Sequence, residues 1–513
     1  MKKLTLVALL LIATLLLVAC NDNKDIPPSV STTQYLDGIA TSSPVEKGNY
    51  VVYVKSSDDS KWTSWDYDNW AVKDADQALS YSVYFFTVDT LFDSVEALKG
   101  ATLSAGARVG TKSYHAGLGR GAAIYDILAE KTSGPSEKVG SVFAKVVPFE
   151  VNGDKIVTVD QFGTKADGKT SDNKKIDSAI NYADANVVEF EGQVYLQKDT
   201  IKLDRDNVRI NAKGAEINNE YKTTTNRDFQ INEKGTNTSR LENITIENLK
   251  IVCTETTGKG ALYNNADHYQ FEARYTNNLV IRGCEFLVPE YTNVETDLHI
   301  TSVSLRCGID TLFENNKIVN FSFSDSYSGG LWFWSNYSDL NEVSTGLTVR
   351  NNYIEKCSHD EVLAFFNGAF DGILVENNTI TTHDEPIGDA SPHAIGFGVN
   401  NVISTVKNAT FRNNTVDVVC EKDIMMFSQV ENIEIYDNTF IARANSDSEP
   451  IQYAIFRVTF DESYAKEGIK VEPKNVKIYN NKITVYNSRE IGLSYACENG
   501  FEFNNNPIEF HKQ

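Results

Sequence analysis

The sequence predicts an all-β protein: a right-handed parallel β-helix with an N-terminal capping helix, preceded by a small mainly β domain. Three observations predict it. One phrase occurs nine times between residues 244 and 508: apolar, any, apolar, any, Asn, Asn, any, apolar, as in ILVENNTI at 373–380. Its first polar slot holds Asn248, Gly283, Asn315, Asn351, Asn377, Asn413, Asp437, Asn480 and Asn505, so seven of nine are Asn. The copies lie 24 to 43 residues apart, a constant unit with variable loops at the period of a solenoid.

Each part of the phrase has a physical reading. The period-two alternation is a strand with one buried face. Asn tolerates left-handed backbone angles and bonds its own backbone, so it suits a sharp bend. Strand, bend and strand in every unit, with units stacked, make a β-helix. Equivalent residues then lie about 4.8 Å apart, and stacked Asn side chains can bond along the ladder. A sandwich or propeller lacks this one-sided Asn row.

The N-terminus reads MKKLTLVALLLIATLLLVAC: two lysines, an apolar run, then polar NDNKD. That is a signal peptide over residues 1–19 rather than a membrane span. Leu17-Val18-Ala19-Cys20 resembles a bacterial lipobox. The resemblance implies cleavage before Cys20, lipidation of its sulfur, and anchoring at a bacterial outer membrane or cell surface. Residues 20–45, with Pro27 and Pro28, read as a flexible tether.

Without the signal, 46 Lys and Arg face 70 Asp and Glu, a net charge of −24. Nucleic acid is excluded as a partner, since phosphate binding needs a basic face. The six cysteines besides Cys20 contain no CxxC pair and sit in or beside the repeats. They read as buried stacked residues rather than disulfides or zinc ligands.

Residues 46–155 lack the Asn phrase and are expected to form the small β domain. The segment KWTSWDYDNW, with Trp62, Trp65 and Trp70, is read as internal packing, with sugar stacking as the rival use. From residue 156 the β-helix is expected to run to 513. Asp172 or Ser171 is expected to cap a helix whose apolar residues Ile176, Ala179, Ile180 and Ala183 share one face and cover the first coil.

The chain here resembles the pectate-lyase superfamily. Phe162-Gly163-Thr164, Asp167-Gly168-Lys169-Thr170 and Asp172 stand where its β-helix proteins carry Phe-Gly-Ala, Asp-Gly-x-Thr-x-Asp and a capping helix. The stretch around Tyr114–Tyr125 looks like the small domain before the β-helix of tailspike-like and polysaccharide-degrading relatives. The resemblance covers about residues 100–510 and is specific for fold. The superfamily holds hydrolases, lyases, epimerases and non-catalytic proteins.

The strands before the Asn phrases begin with His268, His299, Gly330, His359 and His393. This predicts four histidines in one register on successive coils, with Arg274 and Arg306 sharing a second register. Ser358-His359-Asp360-Glu361 and Ser391-Pro392-His393-Ala394 resemble the places where polygalacturonases carry catalytic Gly-Asp-Asp-Cys and Gly-His-Gly. The glycines flanking the histidine are absent here. No Asn-Thr-Asp, Arg-Ile-Lys or Arg-x-Pro-x-x-Arg motif is present either, so neither mechanism transfers unaltered.

The residues point to glycan chemistry. Hydrolysis needs two carboxyls; Asp360, Glu361 and Asp384 are the candidates, with His359 and His393 beside them. Elimination needs a base and a cation for the developing charge. For that reading, His299 or His359 would be the base and Arg274 and Arg306 would hold sugar carboxylates, with His268 also on the binding face. Salt-bridging to Glu272 is the structural alternative for the two arginines. Trp332 and Trp334 alternate with Leu331 and Phe333, so an outward Trp pair would stack on sugar rings. A metal such as calcium is compatible with the ladder, but nothing in the spacing requires one.

The sequence reading is therefore an exported lipoprotein that cleaves a polysaccharide with acidic sugars, by hydrolysis in preference to elimination. A non-catalytic, glycan-binding or adhesive β-helix is the alternative. The chain shows no capping helix after its last phrase, which makes a second subunit a candidate cover.

Overall fold

The computed structural model describes residues 32–219 apart from 44, then 227–253, 268–288, 299–319, 327–336, 339 and 341–357. Further on it describes 361–382, 393–419, 423–443, 456–459, 473–486, 494–495 and 499–511. Within these residues the chain is a right-handed parallel β-helix behind a small β region.

Each coil has three faces. Face 1 contains His268–Arg274, His299–Arg306, Tyr327–Trp334 and their successors; face 2 contains Thr276–Arg282, Ile309–Glu314 and Val343–Arg350. In two coils the first two faces merge into one long strand, Leu363–Glu376 and His393–Arg412. Faces 1 and 2 form a 21-stranded sheet, and face 3 forms a separate 12-stranded one. Between adjacent coils the pairing is parallel, and its register shifts where the two long strands pair, around Phe365–Gly368.

The Asn phrase lies at the corner between faces 2 and 3. All nine first-slot residues have positive φ, from 54° to 63°. The expected bend is therefore present in every copy, and Asn, Asp or Gly fills it because these residues tolerate the left-handed region. The continuous ladder runs through the second slot. The backbone N–H of Asn316, Asn352, Asn378, Asn414, Asn438 and Asn481 each donates to Oδ1 of the Asn one coil on. Their Nδ2 groups reach back to face 2 carbonyls, as Asn414 does to Val375 at 3.1 Å.

One residue before the bend, a charged column alternates in sign. Glu247, Arg282, Glu314, Arg350, Glu376 and Arg412 are successive partners. Ion pairs join them two by two: Glu247 with Arg282, Glu314 with Arg350 at 2.7 Å, and Glu376 with Arg412 at 2.6 Å. Inside, phenylalanines stack from coil to coil, Phe333 on Phe365 at 4.7 Å and Phe365 on Phe397 at 5.1 Å. Cys284, Cys307 and Cys357 are buried free thiols.

The N-terminal region has a four-stranded and a five-stranded sheet. Trp65 and Trp70 pack against each other and on Phe85, the internal role expected of them. Trp62 instead lies over the Lys213 ammonium, which is buried beside Glu189 at 2.8 Å and faces Tyr53 on its other side. Arg120 pairs with Asp160, and the Gly121 N–H donates to Glu191. Buried charges thus seat this region on the first coils.

The capping helix is Asn173–Ile180, with Ile176, Ala179 and Ile180 fully buried. Two details differ from expectation. Ala183 lies past the helix and is exposed. Asp172 occupies the N-cap position, but its carboxylate accepts from the N–H groups of Lys165 and Ala166 instead of the helix. The preceding turn competes for the same acceptor. At the other end, Ile508–His511 pairs with Lys482–Tyr486 and leaves Phe510 44% exposed.

Candidate functional site

The outward side of face 1 gathers the charged and aromatic residues that the repeat does not explain. Register here is set by core side chains: Phe271, Val303, Leu331, Leu363, Ile395 and Met425 are successive partners. Every one is buried. The histidines do not share a register. His268 lies three residues before Phe271 and pairs with Ile300; His299 lies four before Val303 and pairs with Tyr327; His393 lies two before Ile395 and pairs with Asp423. Variable loops set where each strand starts, while the core fixes which residues stack. The single histidine ladder is therefore corrected to three separate positions. His359 falls outside the described residues, as do Asp360, Asp384 and Cys20.

Arg274 and Arg306 are partners on adjacent coils, and both reach Glu272. Their Nε atoms lie 3.0 and 2.9 Å from its carboxylate. Arg227, one coil earlier, donates to it from Nε at 2.8 Å, and Gln230 adds a fourth contact at 2.8 Å. Glu272 is 0% exposed. Burial pushes its carboxyl up, but Arg306, Arg227 and Arg274 together outweigh this and hold it below the usual glutamate range. Among the described residues Arg274 and Arg306 meet no other carboxylate, so the two share this one negative charge.

The arginine side chains stay partly open, 28% for Arg274 and 24% for Arg306. Among the described residues, the Nη groups of these two have no hydrogen-bond partner. Aromatic rings hold Arg306 in place: its guanidinium lies 5.0 Å from the Tyr269 ring and 4.5 Å from the Trp334 ring. Arg227 lies 4.2 Å over Tyr269.

Trp332 and Trp334 do turn away from the Leu331/Phe333 core and form a satellite cluster with Ala364 and Phe366. Trp332 is nevertheless buried, and its Nε1–H donates to the Glu361 carbonyl at 2.7 Å. It has no open face for a sugar ring, which corrects the stacking expectation for Trp332. Trp334 is only half-buried.

Glu361, His393 and Asp423, respectively two, three and four coils beyond Arg306, occupy one register, each two residues upstream of a paired core residue. Glu361 is buried at 5% exposure and Asp423 at 0%. Arg457 places Nε 3.0 Å from Asp423 and Nη2 against the Met426 sulfur. Sequence reasoning missed Asp423 and Arg227. Aligning DIMMF at 423–427 under HAIGF at 393–397, and RDFQI at 227–231 over YQFEA at 269–273, would have found both.

Among the described residues, no group of three or more His, Cys, Asp or Glu could hold a metal ion. A cleft of about 1050 Å³ opens elsewhere, between the N-terminal region and the first coils, and holds none of the predicted site residues.

No protein-family profile matches the chain, and no curated protein does. Solved structures do. The tailspike of Acinetobacter baumannii phage AM24 matches at 12% identity and TM-score 0.48, over 81% of this chain and 65% of its own. The surface adhesin PfbA of Streptococcus pneumoniae matches at 13% and 0.39, over 69% and 90%. An exopolygalacturonase from Thermotoga maritima matches at 12% and 0.39, over 70% and 92%. The chain thus spans about two thirds of that tailspike. These likenesses are of fold.

Proposed function

We propose that the protein is an exported, lipid-anchored enzyme that cleaves a polysaccharide carrying acidic sugars, by hydrolysis. The observation that carries this reading is the pair of partly open guanidinium groups, Arg274 and Arg306, that share Glu272 on the same face as the Glu361–His393–Asp423 register. A protein of net charge −22 that concentrates open guanidinium on one face attracts an anionic group there. The glycan would run along the helix axis over face 1, with Arg274 and Arg306 holding it and Trp334 lining its path.

Cleavage would fall to the carboxylates further along. One acts as general acid on the glycosidic oxygen and the other as base on water. Glu361 and Asp423 are two rungs apart, roughly 9.6 Å between backbones, a gap with room for water between the two groups. His393 lies between them. His359, Asp360 and Asp384 belong to this proposal on the sequence argument alone. Hydrolysis is favoured over elimination because acids outnumber cations at this end of the face.

A second reading, a glycan-binding or adhesive β-helix without catalysis, is favoured by one observation: Asp423 is fully buried and paired with Arg457. Incubation with acidic and neutral polysaccharides separates the two. Reducing ends without the ultraviolet absorbance of unsaturated uronates are expected. That absorbance would replace hydrolysis with elimination. Binding without new ends, unchanged in Asp423→Asn, would favour the adhesive reading.

A further inference from the structure

We infer that the Arg274–Arg306 pair is an anion subsite that takes a single carboxylate or sulfate of the glycan, and that it selects chains with spaced charges over chains charged at every sugar. The inference rests on the reading of face 1 as a glycan-binding face.

Glu272 takes the Nε edges of all three arginines and so orients them. The Nη ends of Arg274 and Arg306 are left without partners, on adjacent rungs about 4.8 Å apart. Two forks this close converge on one anionic group rather than on two. Tyr269 and Trp334 hold the Arg306 guanidinium between them, so the site is formed before any ligand arrives.

The coils beyond supply the selectivity. At the register of Arg274 and Arg306, the next two residues are Trp334 and Phe366. At the register of Glu272, Ser304, Trp332 and Ala364 follow. No cation joins these registers among the described residues until Arg457, whose charge is already met by Asp423. An anionic sugar next to the bound one would therefore lie over the Trp334 ring, a position that penalises charge by desolvation.

Titration calorimetry of the intact protein with four tetrasaccharides tests this. The probes are chitotetraose (neutral), a hyaluronan tetrasaccharide (carboxylate on alternate sugars), a carrageenan tetrasaccharide (sulfate on alternate sugars) and tetragalacturonate (carboxylate on each). At least one alternately charged probe is expected to bind about tenfold or more tighter than chitotetraose and tetragalacturonate; which of the two does so tells carboxylate from sulfate. Arg274→Gln and Arg306→Gln should each abolish that advantage, and Arg274→Lys, which keeps charge but not the fork, should retain part of it. Equal binding of chitotetraose, tighter binding of tetragalacturonate, or an advantage that survives both Gln variants would overturn the inference while leaving a glycan-active face 1 intact. Failure of all four probes to bind would also overturn it, and the polysaccharide panel then decides the broader reading separately.

Discussion

The backbone N–H of Asn378 donates to the side-chain oxygen of Asn414, one coil away, at 2.9 Å. Both residues are buried, and the Asn414 amide also donates to the Val375 carbonyl. Asn414→Ala would orphan the Asn378 N–H, while the Val375 carbonyl keeps its place in the strand ladder. A loss of about 2 kcal/mol is expected, since a buried unsatisfied group costs roughly 1–3 kcal/mol. The neighbouring bend residue Asn413, at φ 55°, depends on conformation instead. Asn413→Gly should be nearly neutral and Asn413→Ala should cost about 1 kcal/mol. Urea unfolding of the three variants checks the order; an Asn414→Ala protein as stable as Asn413→Gly would contradict the ladder.

Arg350 stands between Glu314 and Glu376 in the charged column. Arg350→Glu would place three acids on successive rungs. The Arg350 side chain is 40% exposed, so the effect is screened and about 1–2 kcal/mol is expected. Raising the salt concentration should recover part of it. A loss indifferent to salt would point to packing instead.

Glu191 lies at the seat of the N-terminal region and accepts the Gly121 N–H at 2.6 Å. Burial, and then the charge of Asp160, push its carboxyl up to about 8 from an ordinary 4.5. The folded protein therefore keeps a proton that the unfolded chain gives up in this window. Its contribution to stability is complete below about pH 4.5 and declines as pH rises to about 8. Glu191→Gln keeps an acceptor for Gly121 and removes the titration. Its melting temperature should fall less than that of the parent between neutral pH and pH 9; parallel curves would rule the assignment out.

Glu272→Gln would remove the carboxylate that Arg227, Arg274 and Arg306 share. Removing one partner of a buried ion cluster costs about 3–5 kcal/mol. Sodium sulfate should restore more of this than sodium chloride does at equal ionic strength, beyond its effect on the parent protein. Identical recovery in the two salts would mean that no anion settles between the arginines.

The fold was legible because the repeat writes its mechanics into residue type. Nine left-handed corners demand Asn, Asp or Gly, and the sequence supplies them. The shared register of Arg274 and Arg306 was legible for a similar reason, both being counted from the same corner. The histidines were misaligned because they were counted from strand starts, which loops of unequal length decide. Asp423 and Arg227 escaped notice because no histidine marked their coils. Burial of Trp332 was beyond reach, since a period-two pattern gives the direction of a side chain but not what covers it.

The two columns at the corner count coils differently. The Asn ladder repeats every coil, so removing or duplicating one unit in its span would leave it continuous. The charged column repeats every second coil, as three Glu–Arg doublets. Loss of a single unit within it would bring arginine onto arginine or glutamate onto glutamate, whereas loss of two would restore alternation. Lineages of this solenoid should therefore have changed length by even steps across coils 247–412, and by single steps only where the column ends in Tyr436 and Tyr479.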